Sequence, residues 1–198
     1  MQEFFGSRGG IGLHQKRKFL ELRNQYTLTD EEGREIGKVE QKKQSPLAFI
    51  LRLATSLDVA LPVTLNVTDT SGEEVLNLHK PWFRWGITVS GGGRDLGKVQ
   101  KQLRVGKAIY EVTGPDGQEF AHLKAENWRA KDFKLEDSSG REVGRITKQW
   151  RGLLTEMSWL DADSYAVTFA PEAPADSKAL ALASALAVDL IQKQKDTN

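Results

Sequence analysis

Short stretches in which apolar and polar residues alternate occupy most of the chain between residues 26 and 146. Tyr26 and Leu28 fall on one side of an extended chain, and Phe133 and Leu135 do the same further along. Side chains of a β-strand point alternately to opposite faces, so this pattern predicts half-buried strands. The strands predicted in this way lie at 26–30, 65–69, 87–90, 110–113 and 133–137.

Each predicted strand is followed by a copy of one short repeat. The segment Gly33–Val39 recurs almost unchanged at Gly93–Val99 and Gly140–Ile146, with looser copies at Gly72–Leu78 and Gly117–Leu123. Several copies are preceded by Asp-x-x-Gly, in which the aspartate suits the start of a type I turn and the glycine suits positive φ. Each copy returns to an alternating pattern, so the sequence predicts five antiparallel hairpins.

A sixth hairpin is predicted from 153–159 and 164–169, which gives about twelve strands in all. A solenoid is the competing interpretation of a repeat, but hairpins of this kind close more readily into a barrel or sandwich. About eight strands make a barrel that side chains alone can fill. A barrel of twelve strands would therefore need something further inside it.

The segment 179–191 supplies a candidate for that interior, because it is apolar on every side. Alanine and leucine dominate it and Asp176 and Ser177 precede it, which predicts a helix over 177–193. Such a helix must be buried in protein or in lipid. Thirteen residues span only about 20 Å, shorter than a hydrocarbon core of about 30 Å, so we expect burial in protein with a membrane anchor as the rival.

The predicted fold is therefore mainly β, a closed antiparallel barrel of about twelve strands around a buried C-terminal helix. Leu182 and Leu186 should pack against the barrel wall. Asp189 is unusual on a buried helix, and we expect it to reach solvent near the helix end or to meet a cation on a strand. Ser45 and Pro46 also predict a short helix over 46–57.

The domain organisation predicted from these patterns is simple. The glycine-rich residues 1–12 are expected to form a flexible arm, residues 13–193 a single barrel domain, and residues 194–198 a tail. The first residues lack the apolar stretch of a signal peptide, which predicts a cytoplasmic protein.

Composition excludes several classes of function. The 28 basic and 27 acidic residues nearly cancel, so the bulk charge gives no indication of a nucleic-acid partner. Without cysteine there can be no disulfide or thiolate metal site, and the three histidines lack the spacing of metal ligands. No set of serine, histidine and acid typical of a hydrolase is apparent, so we do not expect an enzyme.

The C-terminal third of the chain resembles a known family. Lys148–Glu156, Asp161–Phe169 and the apolar helix with Asp189 are similar to the phospholipid scramblases and to the wider LURP-one-related and tubby C-terminal-like proteins. The repeat at Gly140–Ile146 fits the same pattern. The resemblance implies a twelve-stranded barrel around a central helix. It also implies a role at membranes, either calcium-stimulated lipid scrambling or phosphoinositide binding.

The resemblance also implies a calcium site. The matching acidic residues are Asp161, Asp163 and Glu172, with Ser164 where scramblases carry an amide. Calcium requires six to eight oxygen ligands, and Tyr165 offers none at an alternating position where one is needed. The sequence therefore predicts at most weak binding of calcium as a cofactor. The alternative is a turn whose aspartates cap strand ends. The chain also lacks the proline-rich extension and palmitoylated cysteines of scramblases.

Cations near apolar residues are the candidates for contact with lipid. Apolar area combined with positive charge is typical of segments that lie on an anionic membrane surface. The candidate lipid-binding residues are Lys42, Lys43, Arg52, Trp82, Arg84 and Trp85. The helix over 46–57 could instead cover one end of the barrel, and the tryptophans could belong to its core or rim. The expected function is peripheral binding to an anionic phospholipid membrane, on the inner face of the plasma membrane. A structural or partner-binding barrel without lipid activity is the rival.

Overall fold

Twelve antiparallel strands close into a barrel in the computed structural model, which describes residues 1–15, 25–42, 62–82, 86–102, 109–125, 132–148 and 164–196. A long C-terminal helix occupies the interior of this barrel, which we call the bore. The predicted fold class is thus confirmed. The helix predicted over 46–57 lies outside the described residues.

The helices and strands follow one another along the chain with simple connections. The helices are α1 (Gln2–Phe5) and α2 (Ala175–Asp196). The strands are β1 (Gly10–Gln15), β2 (Gln25–Thr29), β3 (Glu35–Gln41), β4 (Val63–Asp69), β5 (Glu74–Lys80), β6 (Gly86–Gly91), β7 (Arg94–Gln102), β8 (Ile109–Thr113), β9 (Glu119–Ala125), β10 (Asp132–Asp137), β11 (Glu142–Lys148) and β12 (Ser164–Phe169).

Each strand pairs with its neighbours in sequence, and β1 closes the barrel by pairing with both β2 and β12. The five predicted hairpins are all present, from β2–β3 to β10–β11. The sixth is wrong, because the two edges of β12 are already taken by β1 and β11. Strand β12 thus has no free edge for the strand predicted over 153–159, which lies outside the described residues, and β1 is the twelfth strand.

The hairpin turns are held by the aspartates that the repeat predicts. In β10–β11, Asp137 Oδ1 accepts hydrogen bonds from the backbone N–H of Ser139 and of Arg141, both 3.0 Å long. Gly140 donates to the Asp137 carbonyl oxygen over 2.9 Å and has φ of 80°. The turns after β2 and β4 repeat these contacts. All five hairpin turns lie at one end of the barrel, the turn end, and we call the other the distal end.

The second glycine of the repeat follows a β-bulge. In β6–β7, Val89 pairs with Gly97 while Ser90 pairs with Asp95, so Leu96 is the extra residue. Leu96 is buried in the core at the turn end. Gly97 has φ of 142°, and a Cβ on it would overlap the carbonyl oxygen of Thr113 on β8. The glycine thus lets neighbouring strands approach closely where the bulge twists the sheet.

Helix α2 enters the bore at the turn end and runs to the distal end. Asp176, in its first turn, accepts two hydrogen bonds from Arg94 at the start of β7. The side chains from Ala179 to Leu190 are all buried, and Leu182 and Leu186 are completely so. The predicted buried helix is confirmed, although it begins two residues earlier and ends three later than expected.

The N-terminal residues differ from the flexible arm that their glycines suggested. Phe4 and Phe5 are buried in the core, and the Phe5 ring meets Phe169 of β12 edge to face with 6.4 Å between centroids. The barrel also begins at Gly10 and not at residue 13. Burial of the two adjacent aromatic side chains, each with a large apolar area, contributes more free energy than the conformational entropy lost in ordering Gly6 and Gly9.

Candidate functional site

Two of the six predicted lipid-binding residues, Lys42 and Trp82, lie in the part of the chain that the structure describes. Lys43, Arg52, Arg84 and Trp85 lie outside it. Lys42 follows the end of β3 and Trp82 follows the end of β5, so both belong to the distal end. Strand β4 lies between these strands: Lys42 lies opposite Thr64 of β4, which pairs with His79 of β5, so Trp82 is two strands away from Lys42 and three residues further along the chain than His79.

The Lys42 side chain lies along the outside of the barrel. Its backbone N–H donates to Thr64 over 2.9 Å, while its Nζ is 3.8 Å from Glu74 Oε2. About half of each charged side chain is exposed, 52% for Lys42 and 50% for Glu74. An exposed pair at this distance contributes little to stability, so the ammonium is available to another anion.

Trp82 is the exposed large hydrophobic side chain among the described residues, with 40% of its surface accessible. An indole that keeps an apolar body and a polar N–H near water is typical of membrane interfaces and of protein interfaces. The placement of Trp82 at the distal end is therefore consistent with either partner.

Asp189 lies inside the bore and does not reach solvent. Only 3% of it is exposed, and its Oδ2 accepts a hydrogen bond from the hydroxyl of Tyr26 on β2. The expectation that it reaches water is wrong. The Tyr26 phenol is thus one partner of the Asp189 carboxyl group. A hydrogen bond from a buried hydroxyl offsets part of the cost of removing a carboxylate from water.

The bore is polar near its distal end, a feature missed from the sequence. Lys80 occupies the same face of β5 as Leu76 and Leu78 and is 1% exposed. Burial lowers the pKa of the Lys80 ammonium to about 8 and raises the pKa of the Tyr110 hydroxyl to about 12. The period-two pattern of Leu76, Leu78 and Lys80 was the available signal, because it assigns all three to one face.

A second buried cation joins α2 to the N-terminal segment at the turn end. Lys178 Nζ donates to the carbonyl oxygens of Gly6 and Arg8 over 2.7 and 2.8 Å, and lies 3.4 Å from that of Phe5. It also lies 5.8 Å from the centroid of the Phe169 ring. Carbonyl oxygens surround this ammonium, so Lys178 has a structural role in holding residues 5–8 against the barrel.

The structure separates one predicted calcium ligand from the others. Glu172 is exposed in the turn between β12 and α2, at the turn end. Asp161 and Asp163 lie outside the described residues, but Asp163 is bonded to Ser164, the first residue of β12 at the distal end. The six residues of β12 span about 17 Å, whereas oxygens that share a calcium ion are about 2.4 Å from it. This separation argues against one ion held by Glu172 together with Asp163.

The outer face carries a buried histidine at the seam where β1 closes the barrel. His14 Nδ1 is 3.2 Å from Ser164 Oγ and its Nε2 is 3.0 Å from Thr29 Oγ1. Burial lowers the pKa of the imidazole, which favours its neutral form. Both ring nitrogens thus engage hydroxyls of the two flanking strands. Within the described ranges, no three histidine, aspartate or glutamate side chains are grouped as metal ligands would be.

Comparison with known proteins gives a matching family and several similar solved structures. A sequence model of the family described as Scramblase matches residues 17–192, which is most of the chain. An Arabidopsis thaliana protein whose X-ray structure is known is similar in fold, with a TM-score of 0.56 over 99% of this chain and 96% of that one. Sequence identity is 13%, so this likeness shows the fold alone. No helix within the described ranges combines the length and apolarity needed to cross a membrane.

Proposed function

Because this chain belongs to the scramblase family, we propose that it binds anionic phospholipid from the membrane surface and performs no covalent chemistry. Lys42 and Trp82 at the distal end are the described residues that support contact with lipid. Anionic lipids are concentrated in the cytoplasmic leaflet, which would be the face it binds.

The observation that carries the peripheral mode of binding is the filled bore. Helix α2 is the most apolar segment of the chain, and its side chains from Ala179 to Leu190 are buried against the barrel wall. An apolar helix already packed in protein gains nothing by entering lipid. Within the described residues, the side chains of α2 occupy the bore, where a lipid headgroup would otherwise have to pass. Lipid therefore meets the outside of the barrel.

Lipid scrambling and its stimulation by calcium are the further parts of the proposal. Scrambling would have to proceed along the outer surface of the protein or through lipid that the protein disturbs. The calcium part depends on Asp161 and Asp163, because Glu172 lies at the other end of β12. Two carboxylates supply too few ligands for tight binding, so we expect any effect of calcium to require high concentrations.

Co-sedimentation with vesicles tests the proposal directly. We expect the protein to sediment with vesicles of phosphatidylcholine and phosphatidylserine in equal amounts, and not with phosphatidylcholine alone. Lys42→Glu should reduce the partition coefficient about fivefold or more, since one cation near an anionic surface contributes about 1 kcal/mol. Lys38→Glu is the matched control, because Lys38 is a half-exposed lysine in the middle of the same strand.

The rival function makes the opposite prediction. A structural or partner-binding barrel would remain in the supernatant with both kinds of vesicle, with or without calcium. Equal losses for Lys42→Glu and Lys38→Glu would mean that net charge alone governs the binding. A dye-reduction assay on reconstituted vesicles then tests scrambling, and the Asp161→Asn, Asp163→Asn double variant tests its dependence on calcium.

A further inference from the structure

The two ends of the barrel differ in charge. Acidic residues lie in or beside every hairpin turn and at the start of α2. Those of the turn end are Asp30, Glu31, Glu32, Asp69, Glu73, Asp95, Asp116, Glu119, Asp137, Glu142, Glu172 and Asp176. The arginines there pair with some of these carboxylates, as when Arg141 contacts Asp137 over 3.0 Å and Arg94 contacts Asp176 over 2.6 Å, but the carboxylates outnumber them.

The acidic character of the turn end persists at neutral pH. Hydrogen bonds from the Ser139 hydroxyl and from the backbone N–H of Arg141 lower the pKa of Asp137 to about 2. The Ser71 hydroxyl likewise lowers the pKa of Asp69. These carboxylates are therefore ionised wherever the protein is folded near pH 7, and an anionic surface would repel this end.

The described residues of the distal end are of mixed charge, so this end is much less acidic than the turn end. Lys42 and Lys101 lie where β3 and β7 end. Helix α2 continues for seven residues beyond Asp189, about 10 Å at 1.5 Å per residue, and these residues include Lys193 and Lys195. The acidic residues of the described chain near this end are Glu40 on β3, Glu111 on β8, Asp132 at the start of β10 and Asp196 at the end of α2. The exposed indole of Trp82 lies at the same end.

From this asymmetry we propose an orientation, which rests on the function proposed above: the barrel stands on the anionic phospholipid surface with its distal end, and the turn end faces the aqueous phase. The negative potential of the surface stabilises cations that lie within a Debye length of it. It would destabilise the carboxylates of the turn end if that end approached the surface. Trp82 contacts the headgroup layer, where indoles are favoured. The last two turns of α2, which contain Lys193 and Lys195, end on the same side of the barrel.

The absence of cysteine from the chain makes the orientation measurable, because single-cysteine variants carry a label at one position only. Asp196→Cys puts an environment-sensitive dye at the distal end. Thr70→Cys and Ser138→Cys put it on exposed residues of two hairpin turns. With vesicles of equal phosphatidylcholine and phosphatidylserine, we expect the dye at position 196 to brighten several-fold and to be quenched by spin-labelled lipid. The dyes at 70 and 138 should not change.

A charge-reversal pair checks the same orientation without a dye. Lys195→Glu at the distal end should reduce vesicle partitioning about fivefold, since one cation near the surface is worth about that factor. Arg141→Glu changes net charge equally at the turn end, where Arg141 is largely exposed, and should change partitioning less than twofold.

The outcomes separate the orientation from the function on which it rests. If the protein sediments with the vesicles but the dyes at 70 and 138 respond as much as the dye at 196, the orientation is wrong and the lipid-binding function stands. A larger loss for Arg141→Glu than for Lys195→Glu would have the same meaning. If none of the labelled proteins sediments, both proposals are wrong.

Discussion

Truncation after Ala173, which removes α2, is expected to abolish cooperative folding. Each side chain of the helix from Ala179 to Leu190 is buried in the bore, and a barrel of twelve strands is too wide for its own side chains to fill. Exposing the apolar surface that α2 now covers would cost more free energy than the roughly 5–15 kcal/mol by which a domain is stable. Circular dichroism during heating should show no sigmoidal transition, and the chain should aggregate.

Two comparisons make this prediction specific. Truncation after Asp196 removes only residues 197–198 and should leave the melting curve unchanged. Leu186→Ala, which leaves a cavity beside the helix, should lower the free energy of unfolding by about 2–5 kcal/mol. If the chain without α2 melted as the full chain does, the helix would not be what holds the barrel closed.

Gly97→Ala is expected to have the second largest effect. A Cβ at this position would overlap the Thr113 carbonyl oxygen of β8, and φ of 142° is a conformation that alanine rarely adopts. Because the obstacle is backbone, relief requires β7 and β8 to separate where they pair. We expect a loss of about 2–4 kcal/mol in the free energy of unfolding, since strain and overpacking each cost about 1–3 kcal/mol. Chemical denaturation measures it.

Gly93→Ala is the control for this substitution. Gly93 lies in the same hairpin with φ of 75°, but a Cβ there would meet nothing within 4 Å. It should cost only about 1 kcal/mol, the price of a left-handed conformation for alanine. Equal losses at the two positions would show that the close approach of β7 and β8 has no energetic weight.

The hairpins could be predicted from the sequence because their signals are local. An aspartate that accepts hydrogen bonds from the two backbone N–H groups after it defines a turn within five residues, as Asp137 shows. The alternation on either side then determines which face is buried. The burial of α2 was equally predictable, because a helix without a polar face must be buried in protein or in lipid.

The closure of the barrel could not be predicted in the same way. Residues 153–159 alternate much as a strand does, whereas β1 is short and contains two glycines. The choice between them depends on which chain lies beside β12, and that is a contact between residues far apart in sequence. The burial of Phe4 and Phe5 at the turn end follows from the same long-range contact.

The polar residues of the interior were the hardest to assign. Lys80 and Lys178 are typical surface residues by type, and only their positions inside the barrel bury them. For Asp189, the sequence indicated burial of the helix but not that Tyr26 would be the partner, since 163 residues separate them. Glu172 was grouped with Asp163 because the resemblance to scramblases implied it, although the extended β12 lies between them.

Native-state hydrogen exchange of the α2 amides is the most direct test of the central claim, that this helix is enclosed by the barrel. We expect the amides from Ala181 to Val188 to exchange only through global unfolding, with the same free energy as the central residues of β4 and β10. Rapid exchange of these helical amides while the strands remained protected would contradict it, because a helix outside the barrel could open by itself.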